Sequence, residues 1–381
     1  VISTAQPTVE PPLVQLLTPT GERVHDPEYS PRVDHLDADA LRGLYRDMVL
    51  VRRFDTEATA LQRQGELGLF APSLGQEAAQ VGSGRALAAQ DYVFPSYREH
   101  GVAHTRGLDL TDILKQFRGI DHGGWDPRAH NFHLYTLVIG SHTLHAVGYA
   151  MGVQRDGLVG TGDPARDTAV VAYFGDGATS QGDTNEAFVF AAVNNAPVVL
   201  FCQNNQWAIS EPNERQSRVP IVERGRGFGV PSVRVDGNDV LACYAVMSEA
   251  LERARTGGGP TFVEAYTYRM GAHTTSDDPT RYRSAAEEAS WRAKDPIDRL
   301  RAYLAAAGEL PESFVTALAD EGDALGRHIR STVLAMTPPD KSTIFEHVYA
   351  DVHAVVERER EWFAQYESAF ADDAAHAGGA R

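Results

Sequence analysis

Asp176 and Asn205 are oxygen-bearing side chains in a pattern that suits a hard cation. Asp176 stands in G175-D176-G177-A178-T179, and Asn205 closes Q203-N204-N205. A carboxylate and an amide carbonyl are the kind of donor that Mg²⁺ accepts in an octahedral oxygen shell shared with the phosphates it bridges. The elements needed to bring the two together can be read around them. Residues 168–174 (TAVVAYF) form a β-rich apolar run that ends on Gly-Asp-Gly. Residues 181–195 carry Ala187, Phe188, Phe190, Ala191 and Ala192 at helical spacing, and residues 197–202 (PVVLFC) form a second apolar run leading into Asn-Asn. The order strand, loop, helix, strand predicts a βαβ unit with parallel strands. Ligands of such sheets bind outside the carboxyl ends of the strands, so both oxygen donors are expected at that edge.

Gly-Asp-Gly alone reads equally well as a tight turn, but followed thirty residues on by Asn-Asn it resembles the thiamine diphosphate motif. More closely, the chain resembles the α subunits of the two-subunit 2-oxo acid dehydrogenases, the decarboxylating component of the pyruvate and branched-chain complexes. The resemblance covers residues 36–349. It is carried by L61-Q-R-Q-G65, G75-Q-E-A-A79, F94-P-S-Y-R-E-H-G101, N204-N-Q-W-A-I-S210 and Y268-R-M-G-A-H-T-T-S-D-D278 as well as the GDG…NN segment. It implies an α/β fold, the diphosphate-binding half of the parallel-sheet thiamine diphosphate-binding fold, with helices on both faces. It also implies thiamine diphosphate and Mg²⁺ as cofactors, and oxidative decarboxylation with acyl transfer to a lipoyl group. A β-subunit partner in an α₂β₂ heterotetramer and a lipoyl-bearing dihydrolipoyl acyltransferase follow from the same resemblance. The segments Q62-R-Q-G65 and HTTSDDPTRYRS look more like branched-chain than mammalian pyruvate enzymes, while bacterial pyruvate and acetoin-cleaving α subunits share much of them, so pyruvate or acetoin is the alternative substrate.

Site residues follow position by position. Arg98, with Tyr97 beside it, matches the family's diphosphate-binding arginine, and Arg269 resembles a second basic contact; a guanidinium stays charged and grips phosphate bidentately. The bland reading of Arg98 is a surface salt bridge with Glu99. Asp176 and Asn205 are the expected metal ligands, completed by the backbone carbonyl of Trp207. Gly175, Gly177 and Ala178 belong to the cofactor loop. Ile139, in L137-V-I-G-S141, falls where relatives wedge an aliphatic side chain under the cofactor; core packing is the other explanation for it. His273 matches the histidine implicated in acyl transfer to lipoamide, where an imidazole pKa near neutrality suits proton donation. Gln203 stands where many branched-chain relatives have Arg.

Bulk properties narrow the classes. A formal net charge of −17 with no basic cluster argues against a nucleic-acid surface. No apolar run approaches a membrane span, the start lacks the basic and apolar regions of a signal peptide, and Cys202 and Cys243 read as buried free thiols of a reducing compartment. A cytoplasmic protein is expected. Residues 1–35 are expected as an extended arm on the surface, 36–370 as one domain with C-terminal helices, and 371–381 as a frayed tail. Asp37 reads as a helix start, further helices are expected over 76–90 and 109–118 and from the turn at 236–239 to about 255, and a strand over 261–268 is followed by two helical stretches.

Other classes were weighed on their residues. The pairs His100/His104, His130/His133 and His142/His145 have spacings that could hold zinc, but none lies in HExxH; His142 and His145 read better as lining the cofactor side of a helix start. G160-T-G-D-P-A165 is the nearest dinucleotide fingerprint, and Pro164 and the lack of a preceding strand spoil it. A non-catalytic scaffold or regulatory subunit is the remaining alternative, disfavoured by the presence of Asp176, Asn205, Arg98 and His273 together.

Overall fold

The computed structural model describes residues 11–370, so the expected tail at 371–381 lies outside the described residues. Contacts divide the chain into two compact units, one ending at Ala335 and one starting at Met336, whereas the sequence reading runs a single domain on to 370.

The first unit is built on a five-stranded parallel sheet. In chain order it contains α1 (Ala38–Arg63), α2 (Glu77–Arg85), β1 (Tyr92–Phe94), α3 (His100–Thr105), α4 (Leu110–Arg118), α5 (Pro127–His130), α6 (Ser141–Arg155), β2 (Val170–Gly175) and α7 (Gly182–Val193). Then come β3 (Val198–Asn204), the short hairpin β4 (Trp207–Ala208) and β5 (Glu211–Pro212), α8 (Asn213–Gln216), α9 (Val222–Gly227), β6 (Ser232–Asp236), α10 (Val240–Arg255) and β7 (Thr261–Tyr266). It closes with α11 (Ala285–Arg292), α12 (Pro296–Ala306) and α13 (Glu312–Ala335). Strand order is β1-β2-β3-β7-β6. Parallel pairs set Gly175 opposite Gln203 and Asn204 opposite Tyr266. Parallel strands put all carboxyl ends on one edge, so Asp176 and Asn205 leave the sheet side by side.

Both faces of the sheet are covered, which is why its strands are apolar without alternation. Ala172, Phe174, Leu200 and Cys202 pack against Ala146, Val147 and Ala150 of α6 and Ala187, Phe188 and Ala191 of α7. On the other face Tyr173 donates its hydroxyl hydrogen to Ser83 of α2 at 3.0 Å, and α2 lies against α10. The helix starts are chemically specified: Asp37, Asp109 and Asp239 each accept a backbone N–H of the first turn. After β7 the sequence reading has two helical stretches; the structure has α11, α12 and α13, separated by Pro296 and Pro311, each at or just before a helix start.

The N-terminal segment, expected on a surface, is partly interior. Val14 bridges Val235 in parallel, adding to the β6 edge, and Leu16 and Leu17 are fully buried. Their amides both donate to Asp239 Oδ2, at 2.6 and 2.5 Å. The second unit contains a 3₁₀ turn at Lys341–Phe345 and α14 (Ala354–Ser368), joined by an edge-on contact of Phe345 with Phe363. Among the described residues no helix is long and apolar enough to cross a membrane.

Candidate active site

At the carboxyl edge of the sheet lies a cavity of about 450 Å³, and every site residue expected from the sequence lines it: Tyr97, Arg98, Ile139, Gly175, Asp176, Gly177, Ala178, Asn205, Trp207, Arg269 and His273. They arrive from five places: the loop after β1, the loop before α6, the turn after β2, the segment after β3 and the segment after β7. Gly177 is required by close packing, since a Cβ there would sit 2.9 Å from Ala208 Cβ.

One wall offers oxygens. Asp176 is 1% exposed, and its Oδ2 accepts from Gln216 Nε2 at 3.1 Å. Burial pushes its carboxyl up to about 6, with Gln216 and the Arg269 charge working the other way. Asn205 donates through Nδ2 to Gln76 Oε1 at 3.2 Å, while its Oδ1 accepts from Trp207 N at 3.3 Å. The Trp207 carbonyl accepts from Arg269 Nη1 at 2.9 Å.

The facing wall is cationic. Arg98 and Arg269 are 5% and 0% exposed. Arg98 donates to the Pro72 carbonyl at 2.6 Å and the His273 carbonyl at 2.8 Å. Arg269 donates to the carbonyls of Trp207 and, at 2.7 Å, of Ile209, and to the Tyr282 hydroxyl at 3.3 Å. No carboxylate takes a hydrogen bond from either guanidinium among the described residues. Burial, and then repulsion from Arg98, hold Arg269 down to about 10. Two buried cations with no hydrogen-bonded carboxylate are unfavourable unless an anion joins them. The Arg98–Glu99 surface bridge does not form. Glu99 is itself buried, accepting from Ser96 Oγ at 2.9 Å and Gln203 Nε2 at 2.7 Å, and burial pushes its carboxyl up to about 7. Gln203 therefore faces Glu99, and its own Oε1 accepts from Gln80.

His273 sits between the two guanidiniums. Its Nδ1 is 3.3 Å from Arg98 Nη2 and 3.4 Å from Arg269 Nη1, and its Nε2 is 3.5 Å from the Tyr97 hydroxyl. Guanidinium nitrogens only donate, so Nδ1 is an acceptor and the ring proton belongs on Nε2. Burial and then the charges of Arg98 and Arg269 push its pKa down to about 3. The loop behind it is tied by Asp277, which accepts from His273 N at 2.9 Å and from the Tyr282 hydroxyl, and by Arg283, which donates to the Arg269 carbonyl.

Ile139 is 39% exposed at the cavity, which removes core packing as its explanation. His142 lines the cavity and donates through Nε2 to the Tyr173 carbonyl at 2.7 Å, whereas His145 is exposed and does not line it. Among the described residues no three His, Cys, Asp or Glu side chains gather as a metal group; His100 is engaged instead by the Tyr135 hydroxyl and the Ala71 carbonyl, both at 2.8 Å. Sequence reasoning missed Gln216, Glu99 as a cavity residue, and Gln76. Gln76 lay inside the quoted G75-Q-E-A-A79 block; no local signal marks Gln216.

The geometry thus joins hard oxygen donors to unpaired buried guanidiniums, the requirements of a metal-bound polyphosphate. Comparison with known proteins agrees. Residues 45–325 match the family described as dehydrogenase E1 component. The chain is 45% identical over 353 residues to the 3-methyl-2-oxobutanoate dehydrogenase subunit alpha of Mycobacterium tuberculosis, covering 91% of this chain and 92% of that one. It is 38% identical over 336 residues to the pyruvate dehydrogenase E1 component subunit alpha of Acholeplasma laidlawii (87% and 94% covered), and 38% over 298 residues to that of Staphylococcus epidermidis (78% and 77%).

Proposed function

Since the chain belongs to the dehydrogenase E1 component family, we propose that it is the α subunit of a thiamine diphosphate- and Mg²⁺-dependent enzyme that oxidatively decarboxylates branched-chain 2-oxo acids. The acyl group passes to the lipoyl group of a dihydrolipoyl acyltransferase, and a β subunit completes the α₂β₂ enzyme. The observation that carries the reading is the pair of buried guanidiniums, Arg98 and Arg269, without carboxylate partners, facing the buried Asp176 and Asn205 oxygens.

Thiamine diphosphate, when bound, supplies the carbon nucleophile for the 2-oxo group and the electron sink for loss of carbon dioxide. The roles left to this chain are binding, orientation and proton handling. Arg98 and Arg269 seat the diphosphate; Asp176, Asn205 and the Trp207 carbonyl hold Mg²⁺. Gly175, Gly177 and Ala178 form the turn that would receive the phosphates, and Gly175 has nothing within 4 Å of where a Cβ would point. Ile139 offers the cofactor an apolar surface in the cavity, and Tyr97 fixes the outer edge of the His273 ring. His273 holds its proton on Nε2, facing the cavity side where Tyr97 stands. An anion seated on Arg98 and Arg269 would offset their repulsion, which comes second to burial among the causes of the low His273 pKa.

Substrate choice is supported by the M. tuberculosis relative's name; the relatives named for pyruvate are less similar. Kinetics of the chain reconstituted with its β subunit decide it. A higher kcat/KM with 3-methyl-2-oxobutanoate than with pyruvate is expected, and the reverse order would move the assignment to pyruvate.

A further inference from the structure

Gln76 opens α2 as its N-cap residue and is 1% exposed at the cavity wall. Its side-chain oxygen accepts from Asn205 Nδ2 at 3.2 Å. Its side-chain nitrogen, buried in the same wall, has no partner among the described residues. The first contact settles a question of orientation. An asparagine amide presents oxygen or nitrogen to a neighbour depending on which way it is turned, and only the oxygen can hold a hard cation. With Nδ2 held by Gln76 and Oδ1 taking the Trp207 amide hydrogen at 3.3 Å, the amide has one arrangement that satisfies both.

The Gln76 backbone is held as firmly as its side chain. Its N–H donates to the Ser73 carbonyl at 2.8 Å, and its carbonyl accepts from Gln80 N at 3.1 Å. The preceding Gly75 has φ +94°, and a Cβ there would lie 2.4 Å from the Tyr268 carbonyl. Thr267 Oγ1 donates to the Gly75 carbonyl at 3.0 Å. The loop is therefore pressed against the segment that carries Arg269. The Nε2 atom is buried in the wall of the cavity that Arg98 and Arg269 also line, and its hydrogens have no acceptor among the described residues.

We propose that Gln76 is a further member of the metal-diphosphate site, orienting Asn205 through its side-chain oxygen and donating its amide hydrogen to a phosphate oxygen. The inference rests on the reading of the cavity given above. Groups that orient a metal ligand commonly carry 10- to 100-fold of metal affinity, and an unpaired buried donor signals an absent acceptor.

The test uses the chain assembled with its β subunit and stripped of cofactor. Mn²⁺ is titrated by electron paramagnetic resonance, and inorganic diphosphate by calorimetry in saturating Mg²⁺. Gln76→Glu keeps an oxygen for Asn205 Nδ2 and loses the donor, whereas Gln76→Leu loses both. Mn²⁺ affinity is expected to survive in Gln76→Glu and fall on the order of tenfold in Gln76→Leu. Diphosphate affinity is expected to fall roughly tenfold in both. Wild-type Mn²⁺ affinity in Gln76→Leu overturns the orienting role, and wild-type diphosphate affinity in Gln76→Glu overturns the donor role. Should Gln76→Leu not fold, the unbranched Gln76→Met answers the same question. The wider reading fails separately: it falls if Asp176→Ala binds Mn²⁺ and diphosphate as the wild type does.

Discussion

At the scale of single residues, the cavity is a competition between protons, a metal and an anion. The Asp176 carboxyl, raised to about 6 by burial, titrates just below neutrality. Its folded pKa lies above the unfolded value of 3.8, so the cofactor-free fold holds this proton more tightly than the unfolded chain does. The resulting stability is present at low pH and is lost as pH rises through about 6, where the buried carboxylate goes without a cation. Mg²⁺ with thiamine diphosphate supplies one. The gain in melting temperature on adding both is therefore expected to be large at about pH 7.5 and to shrink toward pH 5. In Asp176→Ala the fold should persist and metal-dependent cofactor binding should vanish; unchanged calorimetric affinity in that variant would refute the ligand assignment. His273 makes a second prediction. His273→Ala should reduce lipoyl-dependent turnover by on the order of 10²-fold or more, and decarboxylation measured with an artificial electron acceptor far less. Equal loss of both, with cofactor affinity intact, would remove the acyl-transfer role.

At the scale of elements, the loop over residues 271–284 shows where sequence and structure part. Its glycine and small polar residues suggest an open segment cleavable after Arg281 or Arg283. In the structure Arg283 is buried and donates to the carbonyls of Arg269 and Met270, while Arg281 is exposed. Limited trypsin treatment should cut first after Arg281, and more slowly with cofactor and Mg²⁺, because His273 and Arg269 are then tied at one end. Fragment masses showing first cleavage after Arg283 would contradict this. The same contrast explains what the sequence revealed elsewhere. The sheet core and the helix start at Asp37 were legible because strand composition and N-caps are local signals. Asp176 and Asn205 were legible because a parallel βαβ unit brings consecutive strand ends to one edge. Gln216 was not, because its approach to Asp176 depends on how residues after the β4–β5 hairpin fold back. Glu99, which only the bland reading of Arg98 put at the surface, is held inside by Ser96 and Gln203.

At the scale of the molecule, the cavity is assembled from one side only. Leu137, Val138, Ile139 and Ile209 are 57%, 70%, 39% and 55% exposed, Leu137, Ile139 and Ile209 line the cavity itself, and Ile209 adopts φ 56°, costly for a β-branched side chain. The family relationship implies a β-subunit partner, and on the proposed function that subunit supplies the remaining wall. The purified chain, given Mg²⁺, thiamine diphosphate and 2-oxo acid, should show negligible decarboxylation, and adding the β subunit should restore it. Robust turnover by the chain alone, once residual β subunit is excluded, would overturn the two-chain site.

The seating of Leu16 and Leu17 has a consequence for the order of events on the ribosome. Their amides are bound by Asp239, more than 220 residues later in the chain, and the Leu17 carbonyl faces Arg299, 282 positions on. At translation rates of about 5–20 residues per second, the two leucines emerge roughly 10–45 s before Asp239 exists. For that interval they are an apolar stretch with no binding place of its own. The two leucines are thus made well before their partners and cannot settle until the chain has been extended past Asp239.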